Sequence, residues 1–261
     1  MSSAASTVSR FALGLLLAGS ILAQEPGMKL IPAGEFHRGR THEWTDQALA
    51  WYPNPLKDDL PVRSIALDAF LLDEAEVTVE RYAAFVEATG HRAPYDWKHG
   101  EPPAAAQAPA INVAWEDAKA FCEWDGKRLP TEAEWEKACR GGTDDHTYSW
   151  GDEEPTAELA HFGSQEGGPI PVCSKARNGY GLCDMIGNAW EWTADWYGRD
   201  YYAEAPESNP PGPQTGQYKA LRGGSWYDKP ASMFLTCSYR SWARPAERSP
   251  NVGFRCAKAA K

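Results

Sequence analysis

The sequence predicts a loop-rich domain of short helices and short strands packed around aromatic side chains. Three observations predict it. The 261 residues include twelve Trp, eleven Tyr and eight Phe, enough large rings to fill space between short elements. Gly and Pro number 23 and 20, so about a sixth of the chain favours turns over long regular elements. Helix start and stop signals occur three times before Gly141 and none is strong after it. A hydrophobic content of 43% supports a real core in one large domain or two small ones.

In chain order, the first stretch has the features of an export signal. Arg10 precedes the apolar run from Phe11 to Ala23, which is short for a bilayer span and ends in small residues. Residues 1–23 are therefore expected to be a removed signal peptide, with a retained membrane anchor as the alternative. No Cys ends the run, which disfavours a lipoprotein, and no later segment is long and apolar enough to span a membrane. The expected location is periplasmic or secreted. The net charge of −10 argues against nucleic-acid binding, which needs a basic face.

Met28 to His37 is expected to be a strand broken by Pro32 and Gly34, and residues 40–61 a surface loop. Val62 to Asp73 alternates as a strand. Thr78 is a candidate N-cap for a helix running to about Ala88, with Tyr82, Phe85 and Val86 at helical spacing and Gly90 as the stop. A second helix spans Trp115 to Trp124, burying Ala118, Phe121 and Cys122 before Gly126. A third spans Arg128 to Cys139, where Thr131 and Glu134 form a capping box after Pro130.

The segment Asn178 to Trp196, NGYGLCDMIGNAWEWTADW, organises the rest. Its glycines disfavour a helix and its pattern does not alternate as a strand, so an irregular buried loop is expected. Buried irregular backbone needs partners for its carbonyls, and a cation is one such partner. Asp184 and Glu191, seven positions apart, supply carboxylates, and the Gly187-Asn188-Ala189 turn can aim carbonyls at the same point. Oxygen-only donors favour a hard ion such as calcium. The plainer alternative makes Asp184 a turn cap and Glu191 an arginine partner. Further on, Pro206 to Gly216 reads as exposed, and Leu221–Tyr227, Cys237–Arg240 and Val252–Cys256 as short strands.

In an oxidising compartment six cysteines favour disulfides. Fifteen connectivities are open, although Cys173 and Cys183 flank a turn and suit a local staple.

Eight motifs in order carry a resemblance: Ile31-Pro-Ala-Gly-Glu-Phe, Glu76-Val-Thr, Trp115-Glu-Asp-Ala, Lys127-Arg-Leu-Pro-Thr-Glu-Ala-Glu-Trp-Glu, Asn178-Gly-Tyr-Gly-Leu, Gly187-Asn-Ala-Trp-Glu-Trp, Arg222-Gly-Gly-Ser-Trp and Gly253-Phe-Arg. The chain resembles the formylglycine-generating enzyme family, or sulfatase-modifying factors, from about residue 28 to 258. The resemblance implies an α+β fold of the C-type-lectin-like kind with little regular secondary structure. It implies the disulfides Cys122–Cys256 and Cys139–Cys237, leaving Cys173–Cys183. It implies a structural calcium ion at Asp184, Gly187, Ala189 and Glu191. A second calcium loop of the family is not carried over, because the chain is short between Phe162 and Pro171.

Oxidase members of the family bind copper(I) through two cysteines after Gly-Gly-Ser and convert a substrate cysteine to formylglycine. Here Asp228 stands near the first of those positions and Ser232 or Met233 near the second, a poor donor set for a soft ion. Copper chemistry is therefore not expected. Two functions remain. One is a binding or accessory protein that takes a peptide, sugar or small molecule in a Trp-lined groove formed by Trp190, Ser225, Trp226, Tyr227 and Asn251. The other is a periplasmic modifying enzyme, similar to siderophore-maturation relatives or to the formylglycine-generating oxidases. In that reading Asp228 and Ser225 are the candidate catalytic groups, with Glu191, Arg240 or Arg244 in support.

Overall fold

The computed structural model describes residues 25–44, 56–164, 166–229 and 231–260. The expected signal peptide, residues 1–23, and much of the expected surface loop over 40–61 lie outside the described residues.

Broken strands open the fold. Pro32 and Gly34 divide the first into β1, Met28–Ile31, and β2, Gly34–Arg38. Asp68 and Ala69 divide the second into β3, Arg63–Leu67, and β4, Phe70–Asp73. β2 pairs antiparallel with β3, and β1 pairs antiparallel with β4, which pairs in turn with β9, Ala257–Ala259. The two ends of the described chain thus share one three-stranded sheet in the order β1-β4-β9.

Helix α1 spans Val79–Thr89. The Thr78 hydroxyl accepts the Arg81 N–H at 3.3 Å, and left-handed Gly90 closes the helix by donating to the Val86 carbonyl. Helix α2 spans Trp115–Trp124 and α3 spans Glu132–Cys139. At α3 the capping box forms as the sequence indicates. Thr131 Oγ1 accepts from Glu134 N at 3.1 Å, and Glu134 Oε2 accepts from Thr131 N at 2.8 Å. All eight α3 residues are buried, including Glu132, Glu134, Glu136 and Lys137.

Trp190–Trp196 differs from expectation. This segment is strand β5, not an irregular loop. It lies inside a four-stranded sheet ordered β7-β6-β5-β8, with β6 at Lys219–Arg222, β7 at Ser241–Ala243 and β8 at Val252–Gly253. The polar–apolar alternation is missing because both faces of β5 are covered, so even Glu191, Thr193 and Asp195 are buried. The expected strand over Leu221–Tyr227 stops at Arg222, and the one over Cys237–Arg240 begins only at Ser241. Two single-turn helices, α4 at Tyr201–Glu204 and α5 at Ala231–Phe234, carried no sequence signal.

Two apolar clusters flank this framework. One gathers Phe36, Ile65, Phe70, Leu72, Trp135 and Ile186. The other stacks Tyr82, Phe85, Phe121, Trp192 and Phe254 against α1 and α2. The disulfides are Cys122–Cys256, Cys139–Cys237 and Cys173–Cys183, as the resemblance implies, and no cysteine is free. The first two cross sequence separations of 134 and 98 residues, so each is worth about 5 kcal/mol in the chain-entropy account.

Candidate functional site

Two side-chain groups meet at the junction of β5, the turn before it and the loop after β6. The first surrounds residues 184–191. Asp184, Gly187 and Asn188 have φ of 50°, 83° and 58°, which puts three bends into five residues. Gly187 is obligatory, because a Cβ there would stand 2.6 Å from the His161 carbonyl oxygen. Asn188 is wholly buried and ties the turn to its surroundings. Its Oδ1 accepts Ile170 N at 3.0 Å, and its Nδ2 donates to Glu76 Oε1 at 3.1 Å.

Glu191 sits at 0% exposure beneath the turn. Arg255 grips it with Nε to Oε2 at 2.8 Å and one terminal nitrogen to Oε1 at 2.7 Å. Trp135 Nε1 adds a bond to Oε2 at 2.8 Å. Arg255 also donates to the carbonyls of Asp73, Cys183 and Asp184. Asp184 Oδ2 accepts the Cys173 N–H at 2.6 Å. Burial raises the Asp184 carboxyl despite that bond and the Arg255 charge. Burial, with the negative charge of Asp184 next, pushes Glu76 well above the ordinary carboxylate range.

Glu76, Asp184 and Glu191 therefore lie buried around Arg255, with Arg177 and His161 adding positive charge near Asp184. Glu76 Oε2 has no hydrogen-bond partner. An oxygen-only donor set suits a hard cation in kind, and Glu76 Oε2 is one of several buried oxygens and nitrogens without a partner. Asp184 and Glu191 stand at either end of a turn that carries the Gly187 and Ala189 carbonyls. Both Glu191 oxygens are engaged, yet each keeps a second acceptor position. Glu76, Asp184 and Glu191 do not all come within 4.8 Å of one another. Among the described residues that distance groups only Glu74 with Cys173 and Cys183, whose sulfurs form a disulfide.

The second group begins where the Trp226 N–H donates to the Asn188 carbonyl at 3.0 Å. Gly224 turns the chain with φ of 75°, and a Cβ there would meet Leu235 Cδ2 at 2.3 Å. This turn brings Ser225 round so that its hydroxyl donates to Asp228 Oδ2. Asn251 Nδ2 donates to Ser225 Oγ at 3.2 Å, and Ser249 Oγ donates to Asn251 Oδ1. Asn251 also accepts the Trp190 N–H at its carbonyl, at 2.9 Å. The structure therefore brings together Trp190, Ser225, Trp226, Tyr227, Asp228 and Asn251. Burial raises the Asp228 carboxyl, against hydrogen bonds from Ser225 and the Trp190 side chain.

Exposure separates these rings. Trp190 and Trp226 are 6% and 9% exposed and act as core, with Trp226 Nε1 donating to the Pro250 carbonyl. Tyr227, at 52%, is the ring that faces solvent. The suggested basic and acidic helpers lie elsewhere. Glu191 is held by Arg255, and Arg240 is buried against Glu132 at 2.7 Å. Met233 is buried, and Cys237 is bonded to Cys139. With every thiol in a disulfide and Asp228 in the loop, these donors do not fit copper(I). A cleft of about 580 Å³ between α4 and Pro211–Gln214 includes none of these residues.

Sequence reasoning missed Glu76, Asn188 and Arg255 as parts of one cluster. Each was visible only as a letter within a motif.

Residues 17–260 match the family described as the sulfatase-modifying factor enzyme 1-like domain, and the chain belongs to it. It is 35% identical to a formylglycine-generating enzyme of Streptomyces coelicolor over 288 aligned positions, covering 88% of each chain. It is 32% identical to the formylglycine-generating enzyme of Bos taurus over 286 positions, covering 87% of this chain and 73% of that one. Among solved structures, PvdO from Pseudomonas aeruginosa superposes with a TM-score of 0.74 at 25% identity, covering 91% of this chain and all of the other. The fold is accordingly α+β, as in the solved relatives of this family.

Proposed function

We propose that this sulfatase-modifying factor family member is an exported binding or accessory protein that engages a peptide, sugar or small molecule on the surface around Tyr227. The observation that carries this reading is the composition of the loop after Gly224. Where oxidase chemistry calls for a thiolate pair, the loop holds a hydrogen-bonded Ser225–Asp228 pair, and all six cysteines are in disulfides. Tyr227 offers an exposed ring, while Asp228, Ser225 and Asn251 offer polar groups beside it. Trp190 and Trp226 support that surface from below. Three disulfides fit a non-cytoplasmic protein.

A structural calcium ion completes this reading, with Asp184 and Glu191 as side-chain ligands and Gly187 and Ala189 as carbonyl ligands. The ion supplies positive charge to a buried, acid-rich turn and holds in place the Asn188 carbonyl on which Trp226 hangs.

The test compares wild-type protein with Tyr227→Ala and Asp228→Asn on peptide and glycan arrays. Ligands that wild type retains and both variants lose support the reading. Ligands held equally by all three place binding elsewhere. A second reading, a modifying enzyme using Asp228 as acid–base group, is favoured by the raised carboxyl of Asp228 in contact with a hydroxyl. Turnover of a captured ligand by wild type, abolished in Asp228→Asn, would select it.

A further inference from the structure

A cleft of about 420 Å³ opens between the β1–β2 bend and the chain leaving α3. Its size suits a small molecule, and it shares no residue with the surface around Tyr227. Lys137 and Arg140 line it, and both are buried, at 4% and 3% exposure. Lys137 Nζ donates to the Pro32 carbonyl at 2.8 Å and to the Gly34 carbonyl at 2.7 Å. Those bonds use two of its three protons. Among the described residues no acid pairs with it directly. Burial lowers its pKa, and Asp144 is the acid whose charge opposes that shift. Arg140 commits its terminal nitrogens to Glu136 and to the carbonyls of Gly39, Asp144 and His146, which leaves its buried Nε without a partner.

Negative charge stands at the rim of the same cleft. Asp144 is half-buried there and Glu35 exposed. Among the described residues the Asp144 carboxylate has no base in contact. The Tyr180 ring forms a wall against Gly142, where a Cβ would stand 3.3 Å from it. Burial, and then the Asp144 charge, raises the Tyr180 hydroxyl, so it stays a neutral donor. A simple anion would satisfy Lys137 but meet the repulsion of Asp144 and Glu35. A simple cation would meet Lys137. An unpaired ammonium within and an unpaired carboxylate at the rim are satisfied together by a ligand that carries both charges.

We propose that this cleft binds a small zwitterion of the α-amino-acid kind, with its carboxylate toward Lys137 and Arg140 Nε and its ammonium toward Asp144 and Glu35. The Tyr180 ring then flanks the rest of the ligand.

The test is a thermal-shift screen of the full chain against each standard L-amino acid, followed by calorimetric titration with the one that shifts it most. Wild type should bind one equivalent. Asp144→Asn keeps the backbone carbonyl that Arg140 uses, removes the partner of the ammonium, and should weaken binding about tenfold. Lys137→Gln should weaken it at least as much. Lys137 also ties α3 to the β1–β2 bend, so Asp144→Asn carries the test if the Lys137 variant fails to fold. Sodium acetate and methylammonium chloride, the two halves of the ligand, should each shift the melt less than the amino acid does. Acetate matching the amino acid would make the cleft a plain anion site and overturn the proposal. No shift with any amino acid, or binding by Asp144→Asn within twofold of wild type, would overturn it too.

Discussion

Two buried acidic clusters in this protein have opposite electrostatics. Around α3, Glu132 meets Arg240 at 2.7 Å and Arg222 at 3.2 Å, with Arg38 at 3.6 Å. Glu136 meets Arg222 and Arg140, both at 2.9 Å, and accepts the Tyr202 hydroxyl at 2.7 Å. Burial alone would raise Glu132, but Arg240, Arg222 and Arg38 bring it down to about 2. Glu136 is lowered in the same way. Beside β5, Glu76, Asp184 and Glu191 share one buried arginine, Arg255, with the half-exposed Arg177 acting on Asp184 as well, and burial raises both Glu76 and Asp184. Equal burial thus yields opposite shifts, and the number of arginines decides the sign. The first cluster is balanced in charge by its arginines, although Arg38, Arg222 Nε and Asp195 Oδ1 keep buried atoms without a hydrogen-bond partner. The second has fewer cations beside its acids, and two of those acids are pushed up rather than down.

Breaking the arginine-balanced cluster should have the largest effect. Glu132→Ala leaves Arg240, Arg222 and Arg38 without their shared acid and should cost about 3–5 kcal/mol in denaturant unfolding. Calcium should not restore it. The second cluster should respond to calcium instead. Wild-type stability should rise by about 2.7 kcal/mol at a hundredfold excess over the dissociation constant, and Asp184→Asn should lose that gain. A calcium-independent melting temperature in wild type would erase the contrast.

Titration sharpens it further. Glu132 has a folded pKa below its ordinary value, so its contribution is whole above about pH 4.5 and is lost as pH falls toward 2. Asp195, whose Oδ2 accepts the Glu132 N–H at 2.8 Å, is the exception within the same cluster. Burial and the Glu132 charge raise it to about 7. Its contribution is therefore whole below its ordinary value of about 4 and is lost as pH rises through 7. Asp195→Asn should flatten the decline of stability between about pH 4 and pH 7, measured by melts across that range. The smallest effect belongs to the solvent-facing group. Tyr227→Ala should change stability by about 0.5 kcal/mol or less while removing ligand capture.

Much of this was legible in the sequence for local reasons. Thr78, Gly90, Thr131 and Glu134 act on backbone groups within four residues, so their helix ends could be placed from neighbours alone. The turn residues Asp184 and Gly187 were legible for the same reason. The clusters were not. Nothing near Glu132 in the sequence announces Arg222 or Arg240, and nothing near Glu76 announces Asn188. Strand β5 was hidden because its identity depends on burial by both neighbours, which erases the alternation that marks a one-sided strand. The long disulfides became assignable only through the family resemblance, since spacing leaves fifteen pairings open.

The most direct test of the central claim, that the loop after Gly224 carries the Ser225–Asp228 pair and no thiolate pair, is a thiol count. The mature protein is denatured without reduction and titrated with a thiol reagent. The account predicts no reactive thiol, with three disulfides appearing only after reduction. Two free thiols, one of them Cys237, would contradict it and return a soft-metal site to the loop beside Asp228.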